Sequence, residues 1–237
     1  DCMDLIADFR LWQTSPRPYV MLKLAQTLDG KIAPRPGVPG AISGLRAQRW
    51  VHRLRSRVGA VLVGGGTLRA DNPKLTCRHP RHTGAQPWAV VATRRLPDVD
   101  APLALLRHTP QHTIFLTSKA ERCSQRATAL LDLGCHVYGL AENATGIDLA
   151  AGLTLLRREH GCHHVLVEGG GTLAANLLAA GLADEILLVI SPRVLGDSVA
   201  PASFQGRTVN SMADAITLRL AATRHLPPDI LLHLRPS

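Results

Sequence analysis

Aromatic residues are scarce in this sequence. Phe, Trp and Tyr make up 3% of its 237 residues, although 46% of the residues are hydrophobic. The core must therefore consist of Leu, Val, Ile and Ala, which is typical of parallel strands covered by helices on both faces. The length suits one large domain or two small ones. The composition thus favours an α/β protein.

The cysteines and histidines lack the spacing of a disulfide framework or a metal site. The five cysteines are odd in number, and no two of them form a C-x-x-C pair. This argues against a disulfide scaffold and against zinc. His163 and His164 are adjacent, and neighbouring residues on a strand point to opposite faces, so they cannot chelate one ion together. We therefore predict no metal.

Long hydrophobic runs and long basic runs are also absent. No apolar stretch reaches membrane-spanning length, and the first residues lack the pattern of a secretion signal. The net charge is +9, but the arginines are dispersed and few aromatic residues could stack on bases. We expect a cytoplasmic protein that binds neither membranes nor nucleic acid. The basic excess suits a small anionic substrate and a phosphate-bearing cofactor. The first residue is not Met, as expected of a fragment or a processed product.

Two stretches share one pattern: a short apolar strand, three glycines, a threonine and an apolar helix. They are AVLVGGGTL (60–68) and HVLVEGGGTLAANLL (164–178). Glycines let a ligand approach bare backbone, and a helix N-terminus favours phosphate. We expect Thr67 and Thr172 to cap the two helices. The spacing is not G-x-G-x-x-G, and each stretch alone could be an ordinary strand-to-helix turn. Two of them indicate a single anion-binding crevice.

The remaining pattern predicts alternating strands and helices. An amphipathic helical segment ends near Pro18, another helix runs from Ser43 to about Arg57, and Ser118 has capping-box spacing with Glu121. The C-terminal stretches 215–223 and 230–235 alternate apolar and polar residues, which predicts an antiparallel hairpin. Further strands are expected at 19–25, 60–63, 88–92, 113–116, 135–140, 165–167 and 185–191, and a helix at 149–160. The predicted fold is a mostly parallel sheet flanked by helices with an antiparallel C-terminal hairpin.

Charged residues interrupt or follow several predicted strands. Lys23 lies inside an apolar strand, where a Lys is costly unless it is paired or functional. It could alternatively occupy an edge strand or extend its amine to solvent. Thr93, Arg94 and Arg95 follow the strand 88–92 and suit a ribose 2′-phosphate, although a solvated loop explains them equally well.

Three motifs in this order resemble a known family. They are RPYVMLKLAQTLDGKIA (17–33), GGGTLRADNPKLTCR (64–78) and VEGGGTLA (167–174), the last followed by ADEILLVISPRVLG (183–196). The sequence closely resembles the reductase domain of riboflavin biosynthesis, the C-terminal half of the bifunctional pyrimidine deaminase/reductase, which has a dihydrofolate reductase-like fold. The resemblance implies a reductase domain over 17–237, preceded by a remnant of the linker helix (1–16) that leaves the deaminase. The zinc motif of the deaminase has no counterpart in this sequence.

The resemblance also implies an activity and partners. The activity is the NADPH-dependent reduction of 5-amino-6-(5-phosphoribosylamino)uracil to 5-amino-6-(5-phosphoribitylamino)uracil. The protein is expected to be a homodimer, with the deaminase domain fused upstream or supplied separately. Two alternatives stay open. The substrate could be the non-deaminated 2,5-diamino-6-ribosylaminopyrimidinone phosphate, or the domain could be a catalytically idle nucleotide-binding unit.

The family's functional residues map onto this sequence position by position. Lys23 is expected to assist proton transfer or to polarise the sugar oxygens, and Glu168 to anchor the pyrimidine or a ribose hydroxyl. Arg55 and Arg78 suit the ribose phosphate, because a guanidinium binds phosphate through two donors. The implied substrate contacts are Arg55, Leu75, Arg78 and Glu168. The implied NADPH contacts are Ala25, Thr67, Asp71, Thr93, Gly170, Gly171, Thr172, Leu173, Ala174, Ala175 and Asn176.

The sequence departs from the family pattern in three ways. Pro39 and Ala41 stand where many relatives have Ser and Trp, which changes an expected substrate contact and an expected cofactor contact in the loop 34–40. Three glycines replace the Ala-Gly-Pro that often follows the glutamate, which should loosen that turn but keep its N–H groups.

Overall fold

The computed structural model describes residues 2–38, 40–144 and 146–237. Pro39, one of the departures from the family pattern, lies outside the described residues. The helices are α1 (Cys2–Leu5), α2 (Ala7–Thr14), α3 (Leu45–Arg55), α4 (Gly65–Asp71), α5 (Ala104–His108), α6 (Lys119–Arg122), α7 (Gln125–Asp132), α8 (Leu149–His160) and α9 (Gly171–Ala179). The strands are β1 (Tyr19–Thr27), β2 (Ala60–Gly64), β3 (Trp88–Ala92), β4 (Thr113–Ser118), β5 (His136–Leu140), β6 (Glu142–Asn143), β7 (Gly146–Ile147), β8 (His164–Val167), β9 (Glu185–Ser191), β10 (Leu218–Leu226) and β11 (Asp229–Pro236).

One sheet organises the chain, with strand order β10-β11-β9-β1-β8-β2-β3-β4-β5. Along this order from β9 to β5, each strand is parallel to the next. β11 is antiparallel to β9, and β10 is antiparallel to β11. β6 and β7 form a separate small ribbon. The predicted architecture, a mostly parallel sheet closed by an antiparallel C-terminal hairpin, is confirmed.

Helices cover both faces of the parallel part. In β2, Ala60 and Leu62 belong to a buried cluster that includes residues of α8 and α9. Val61 and Val63 point the other way, into a cluster that includes residues of α4, α5 and α7. Both clusters consist mainly of aliphatic side chains, which confirms the core expected from the low aromatic content. No helix among the described residues is long and apolar enough to span a membrane.

Several helix starts differ from the sequence prediction. Gly64 and Gly170 are the N-cap residues of α4 and α9, so the prediction that Thr67 and Thr172 cap these helices was wrong. Glycines therefore begin both helices, and the two cap residues have the extended backbone that is usual at an N-cap. Gly44 caps α3 in place of Ser43.

The Asp229 carboxylate accepts the backbone N–H of Gly44, the N-cap residue of α3, at 2.8 Å.

The first strand of the C-terminal hairpin, β10, begins at Leu218, three residues later than predicted. Ser118 caps α6 as predicted, because its hydroxyl accepts the N–H of Glu121 at 3.2 Å. The Glu121 carboxylate instead accepts the N–H of Leu96, at 2.9 Å.

Polar contacts hold the N-terminal helices against the rest of the chain. The Arg157 guanidinium donates to the carbonyl of Trp12 at 2.7 Å. Asp8 contacts His164 at 3.1 Å, and Asp4 pairs with Arg219 at 2.8 Å. The expected helical segment before Pro18 is therefore present, and its origin as a linker stays a prediction.

Candidate functional site

A cavity of about 850 Å³ opens where the parallel strands β8, β2 and β3 end. Ligands bind outside the carboxyl ends of such strands because the connecting loops meet there. The lining comes from parts of segments 23–25, 32–43, 64–71, 92–95, 146–149 and 168–176, with Pro201 and Gln205. Both GGGT turns face this one cavity. The prediction that they contribute to a single crevice is therefore confirmed in its geometry.

The glycines of the two turns serve different purposes. A Cβ at Gly65 would overlap the Thr93 hydroxyl, and a Cβ at Gly171 would overlap the carbonyl of Ala202. These two positions need glycine for packing. A Cβ at Gly66 would meet nothing within 4 Å, and one at Gly170 would approach only the Thr67 hydroxyl, at 3.8 Å. Gly66 and Gly170 thus present bare backbone to open space, where a ligand can approach closely.

Most of the expected cofactor residues lie on this cavity. Ala174 and Ala175 do not: both are buried, and Ala174 packs in the main core. The helical period turns these two toward the protein interior while their neighbours face the cavity. The expected residues that line it are Ala25, Thr67, Asp71, Thr93, Gly170, Gly171, Thr172, Leu173 and Asn176.

Lys23 and Glu168 lie side by side in the cavity wall. β1 pairs with β8 through Leu22 and Val167, so Lys23, the next residue on β1, lies beside Glu168, which directly follows β8. Lys23 also pairs with Leu187 of β9. β1 is therefore an interior strand, which excludes the edge-strand interpretation of this lysine. Burial lowers the pKa of the Lys23 amine, and the negative charge of Glu168 partly opposes that effect.

Glu168 makes a two-donor ion pair with Arg55. Arg55 Nε lies 2.6 Å from Glu168 Oε1, and Arg55 Nη2 lies 2.9 Å from Glu168 Oε2. The two side chains are 12% and 15% exposed. Burial alone would raise the pKa of the Glu168 carboxyl, but the hydrogen bonds and charge of Arg55 outweigh burial and hold it below its ordinary value. Glu168 is therefore ionised at neutral pH.

The third nitrogen of Arg55 is also engaged. Arg55 Nη1 donates to the carbonyl of Thr76 at 2.9 Å. Arg55 does not line the cavity, so the structure shows it as the partner of Glu168 and not as a free cation facing a phosphate. The two paired residues are 113 positions apart, and the sequence carries no signal for this contact.

Arg78 and Leu75 lie near Arg55 but outside the cavity lining. The Leu75 side chain is buried, so its backbone is what it can offer to a substrate. Arg78 is exposed, and its Nη2 lies 3.2 Å from His52 Nε2. Among the described ion pairs none includes Arg78, which leaves its guanidinium available to an anion.

A set of arginines borders the cavity. Arg94 and Arg95 are exposed and follow Thr93, whose hydroxyl donates to the carbonyl of Arg95 at 2.9 Å. Arg35 and Arg69 also line the cavity. Neither has a spacing in the sequence that distinguishes it from a surface arginine, although Arg69 lies inside the second family motif. Ala41, one of the departures from the family pattern, lines the cavity as well.

The described residues contain no group of three or more His, Cys, Asp or Glu side chains that could hold a metal ion. The polar side chains of the site are instead a lysine, a glutamate, arginines and hydroxyls. This set suits anionic ligands that carry phosphate.

Known proteins resemble this chain over most of its length. The RibD C-terminal domain family matches residues 18–232. The 2,5-diamino-6-ribosylamino-4(3H)-pyrimidinone 5′-phosphate reductase of Methanothermobacter thermautotrophicus is 34% identical over 223 residues, covering 91% of this chain and 96% of its own length. The riboflavin biosynthesis protein RibD of Bacillus amyloliquefaciens is 33% identical over 220 residues, covering 92% of this chain.

Solved structures agree with this relationship. Acinetobacter baumannii RibD superposes with a TM-score of 0.84 at 30% identity and covers 99% of this chain. This chain spans 57% of the Bacillus protein and 62% of the Acinetobacter protein. The resemblance stated from the three sequence motifs is confirmed: the chain belongs to the RibD C-terminal domain family, whose relatives here carry the names of riboflavin-biosynthesis proteins and of a reductase.

Proposed function

We propose that this chain uses NADPH to reduce 5-amino-6-(5-phosphoribosylamino)uracil to 5-amino-6-(5-phosphoribitylamino)uracil. The observation that carries the proposal is the shared cavity. Two glycine turns with accessible backbone and the charged pair of Lys23 and Glu168 face the same space of about 850 Å³. Such a cavity can hold a dinucleotide against a second ligand.

The residues on the cofactor side fit a nicotinamide dinucleotide. Gly66 and Gly170 leave room for a ligand against the backbone, and the first turn of α9 has no side-chain cap competing for its N–H groups. NADPH bound here would supply the hydride. Thr93, Arg94 and Arg95 would hold the 2′-phosphate. The other holding residues would be Ala25, Thr67, Asp71, Gly171, Thr172, Leu173 and Asn176.

The residues on the substrate side fit an open-chain ribose phosphate. Opening of the ring places one proton on the released sugar oxygen and leaves a protonated imine at C1′. Addition of hydride to C1′ then gives the amine, so the reduction takes up one proton in all. Lys23 lies in the cavity wall, where its Nζ would supply a proton, and Glu168 beside it would accept hydrogen bonds from the pyrimidine or a ribose hydroxyl. Arg78 would bind the phosphate, with Leu75 contributing backbone. Arg55 would act on the substrate through Glu168.

The non-deaminated pyrimidine is the second candidate substrate. It is favoured by the relative that bears its name and matches this chain over 96% of the relative's length. The experiment is to follow NADPH absorbance with the deaminated and the non-deaminated substrate in turn. Faster oxidation with one of them identifies the substrate. Oxidation with neither would contradict the reductase proposal and favour an idle nucleotide-binding domain.

The family resemblance also supports proposals about assembly. We propose a cytoplasmic homodimer that works with a deaminase domain, either fused upstream, with 1–16 as the linker, or supplied as a separate protein. The Bacillus and Acinetobacter relatives are longer than this chain. Sedimentation equilibrium of the purified chain tests the dimer, and a single species of monomer mass would contradict it.

A further inference from the structure

The segment that carries Arg78 is held by side chains and not by regular structure. Residues 76–78 belong to neither a helix nor a strand. The backbone N–H of Arg78 donates to His52 Nδ1 at 3.2 Å. The Cys77 thiol donates to the carbonyl of His52 at 3.2 Å. His52, on α3, thus contacts both residues directly.

Neighbouring side chains fix the other peptide groups of this segment. Gln86 accepts the N–H of Cys77 at 2.7 Å and donates to its carbonyl at 3.2 Å. Arg55 donates to the carbonyl of Thr76. Leu75, just before, has φ +52°, a left-handed conformation that is uncommon for a non-glycine residue. The shape of this segment therefore depends on these contacts.

Two donors of Arg78 face the two ring nitrogens of His52. The backbone N–H of Arg78 lies 3.2 Å from Nδ1, and Arg78 Nη2 lies 3.2 Å from Nε2. A neutral imidazole accepts at one of its two nitrogens, so in either tautomer it accepts one hydrogen bond from Arg78. His52 therefore holds Arg78, and the other donors of the guanidinium remain to bind an anion.

We propose that His52 is a positioning residue, which holds Arg78 so that its guanidinium binds the phosphate of the substrate. This inference rests on the proposed function, in which Arg78 is the phosphate ligand. His52 touches neither reactant, and its effect passes through Arg78.

The surroundings of His52 set the charge state that this role requires. Burial, followed by the positive charges of Arg55 and Arg78, lowers the pKa of His52. Glu168 opposes the shift, and His79 adds to it. The ring is therefore neutral at neutral pH. When the ring gains a proton in acid, neither nitrogen can accept a hydrogen bond from Arg78, and the KM for the phosphorylated substrate should rise.

Two substitutions at His52 test the proposal. His52→Leu removes the acceptor, so the KM for the phosphorylated substrate should rise about fivefold to tenfold, the usual effect of one lost hydrogen bond. The kcat and the KM for NADPH should change by less than about twofold, well under that effect. His52→Asn keeps an oxygen acceptor near the position of Nδ1, and should recover most of the loss without the additional acid-dependent rise in KM. His108→Leu, an exposed histidine on α5, is the matched control.

The substrate phosphate titrates near pH 6 in every variant, so the pH profiles are compared between wild type and His52→Asn. Identical profiles would overturn the proposal, as would an unchanged KM in His52→Leu or equal impairment of the Leu and Asn variants. Thermal melting verifies folding. If His52→Leu unfolds, the profile of His52→Asn decides.

Arg78→Gln separates this proposal from the proposed function. If Arg78→Gln leaves the KM unchanged, the phosphate assignment itself fails. If Arg78→Gln raises the KM and His52→Leu does not, the positioning role of His52 is wrong, while the assignment of Arg78 to the phosphate is kept. With a substrate lacking the phosphate, wild type and His52→Leu should have the same KM.

Discussion

Arg55 donates two hydrogen bonds to the two carboxylate oxygens of Glu168, at 2.6 and 2.9 Å. The pair connects α3 to the residue that follows β8, beside the cavity. The third donor nitrogen of Arg55 donates to the carbonyl of Thr76. Arg55 was expected to bind the substrate, and the structure shows that it holds the Glu168 carboxylate in place.

Removal of Arg55 should destabilise the fold, because Glu168 is left charged and largely buried. We expect Arg55→Met to lower the free energy of unfolding by about 3 kcal/mol, typical of a broken buried pair. Urea denaturation measures this. The added change Glu168→Gln should restore part of the loss. Arg158→Met, which breaks a pair that is 75% and 45% exposed, should have little effect. Equal effects of the two arginine substitutions would contradict the prediction.

The ion pair should also make stability depend on acid. The pKa of Glu168 is lowered in the folded state, so its contribution to stability is fully present above the ordinary value of 4.5 and is lost as the pH falls through the lower folded value. We expect the free energy of unfolding to fall more steeply below about pH 4.5 in wild type than in Glu168→Gln. Urea titrations over a pH series measure the difference, and parallel curves would refute it.

Lys23 should be required for turnover. If its Nζ supplies a proton, Lys23→Met should lower kcat/KM about a hundredfold or more, as expected for loss of a general acid. In wild type, kcat should fall as the pH rises through the Lys23 pKa, which burial holds below its ordinary 10.5.

Lys23→Arg is the matched variant, because a guanidinium keeps the positive charge but does not release its proton over this pH range. If Lys23 is the acid, Lys23→Arg should lower kcat/KM much as Lys23→Met does. Glu168→Gln should also lower kcat/KM, through lost contacts to the substrate. A change of less than about threefold in both Lys23→Met and Glu168→Gln would exclude these roles.

The adjacent glycines of the first turn should respond differently to alanine. Gly65→Ala forces a Cβ against the Thr93 hydroxyl and should destabilise the protein by about 1–3 kcal/mol, the usual effect of overpacking. Gly66→Ala meets nothing within 4 Å, so the fold should tolerate it, while the KM for NADPH should rise. Thermal melting and NADPH saturation curves separate the two effects. An unchanged KM in a folded Gly66→Ala protein would place the cofactor elsewhere.

Cofactor preference should depend on the arginines that follow β3. Replacement of Arg94 and Arg95 by Ala should raise the KM for NADPH while leaving that for NADH almost unchanged. The reason is that NADH lacks the 2′-phosphate that these cations would bind. The measurement is the ratio of kcat/KM for the two cofactors, with Arg158→Ala as a control distant from the cavity. Unchanged discrimination would assign the 2′-phosphate to other residues, Arg35 and Arg69 being next to test.

Local patterns in the sequence were sufficient for the main architecture. Apolar runs such as 88–92 and 185–191 became strands with the predicted bounds, because a strand buried on both faces must be continuously apolar. The two GGGT stretches were correctly placed on one crevice, since parallel strands end at the same edge of a sheet. The helix starts were predicted less well: the glycines, and not the threonines, cap α4 and α9.

The fold class, the family and the segments that form the cavity could all be predicted from the sequence, because they follow from local periodicity and from three motifs. The partners of the charged residues depend on tertiary packing. It paired Arg55 with Glu168, placed His52 against Arg78, and turned Ala174 and Ala175 away from the cavity. Long side chains find partners through the packing of distant elements, and no local pattern encodes which cation a buried carboxylate will meet.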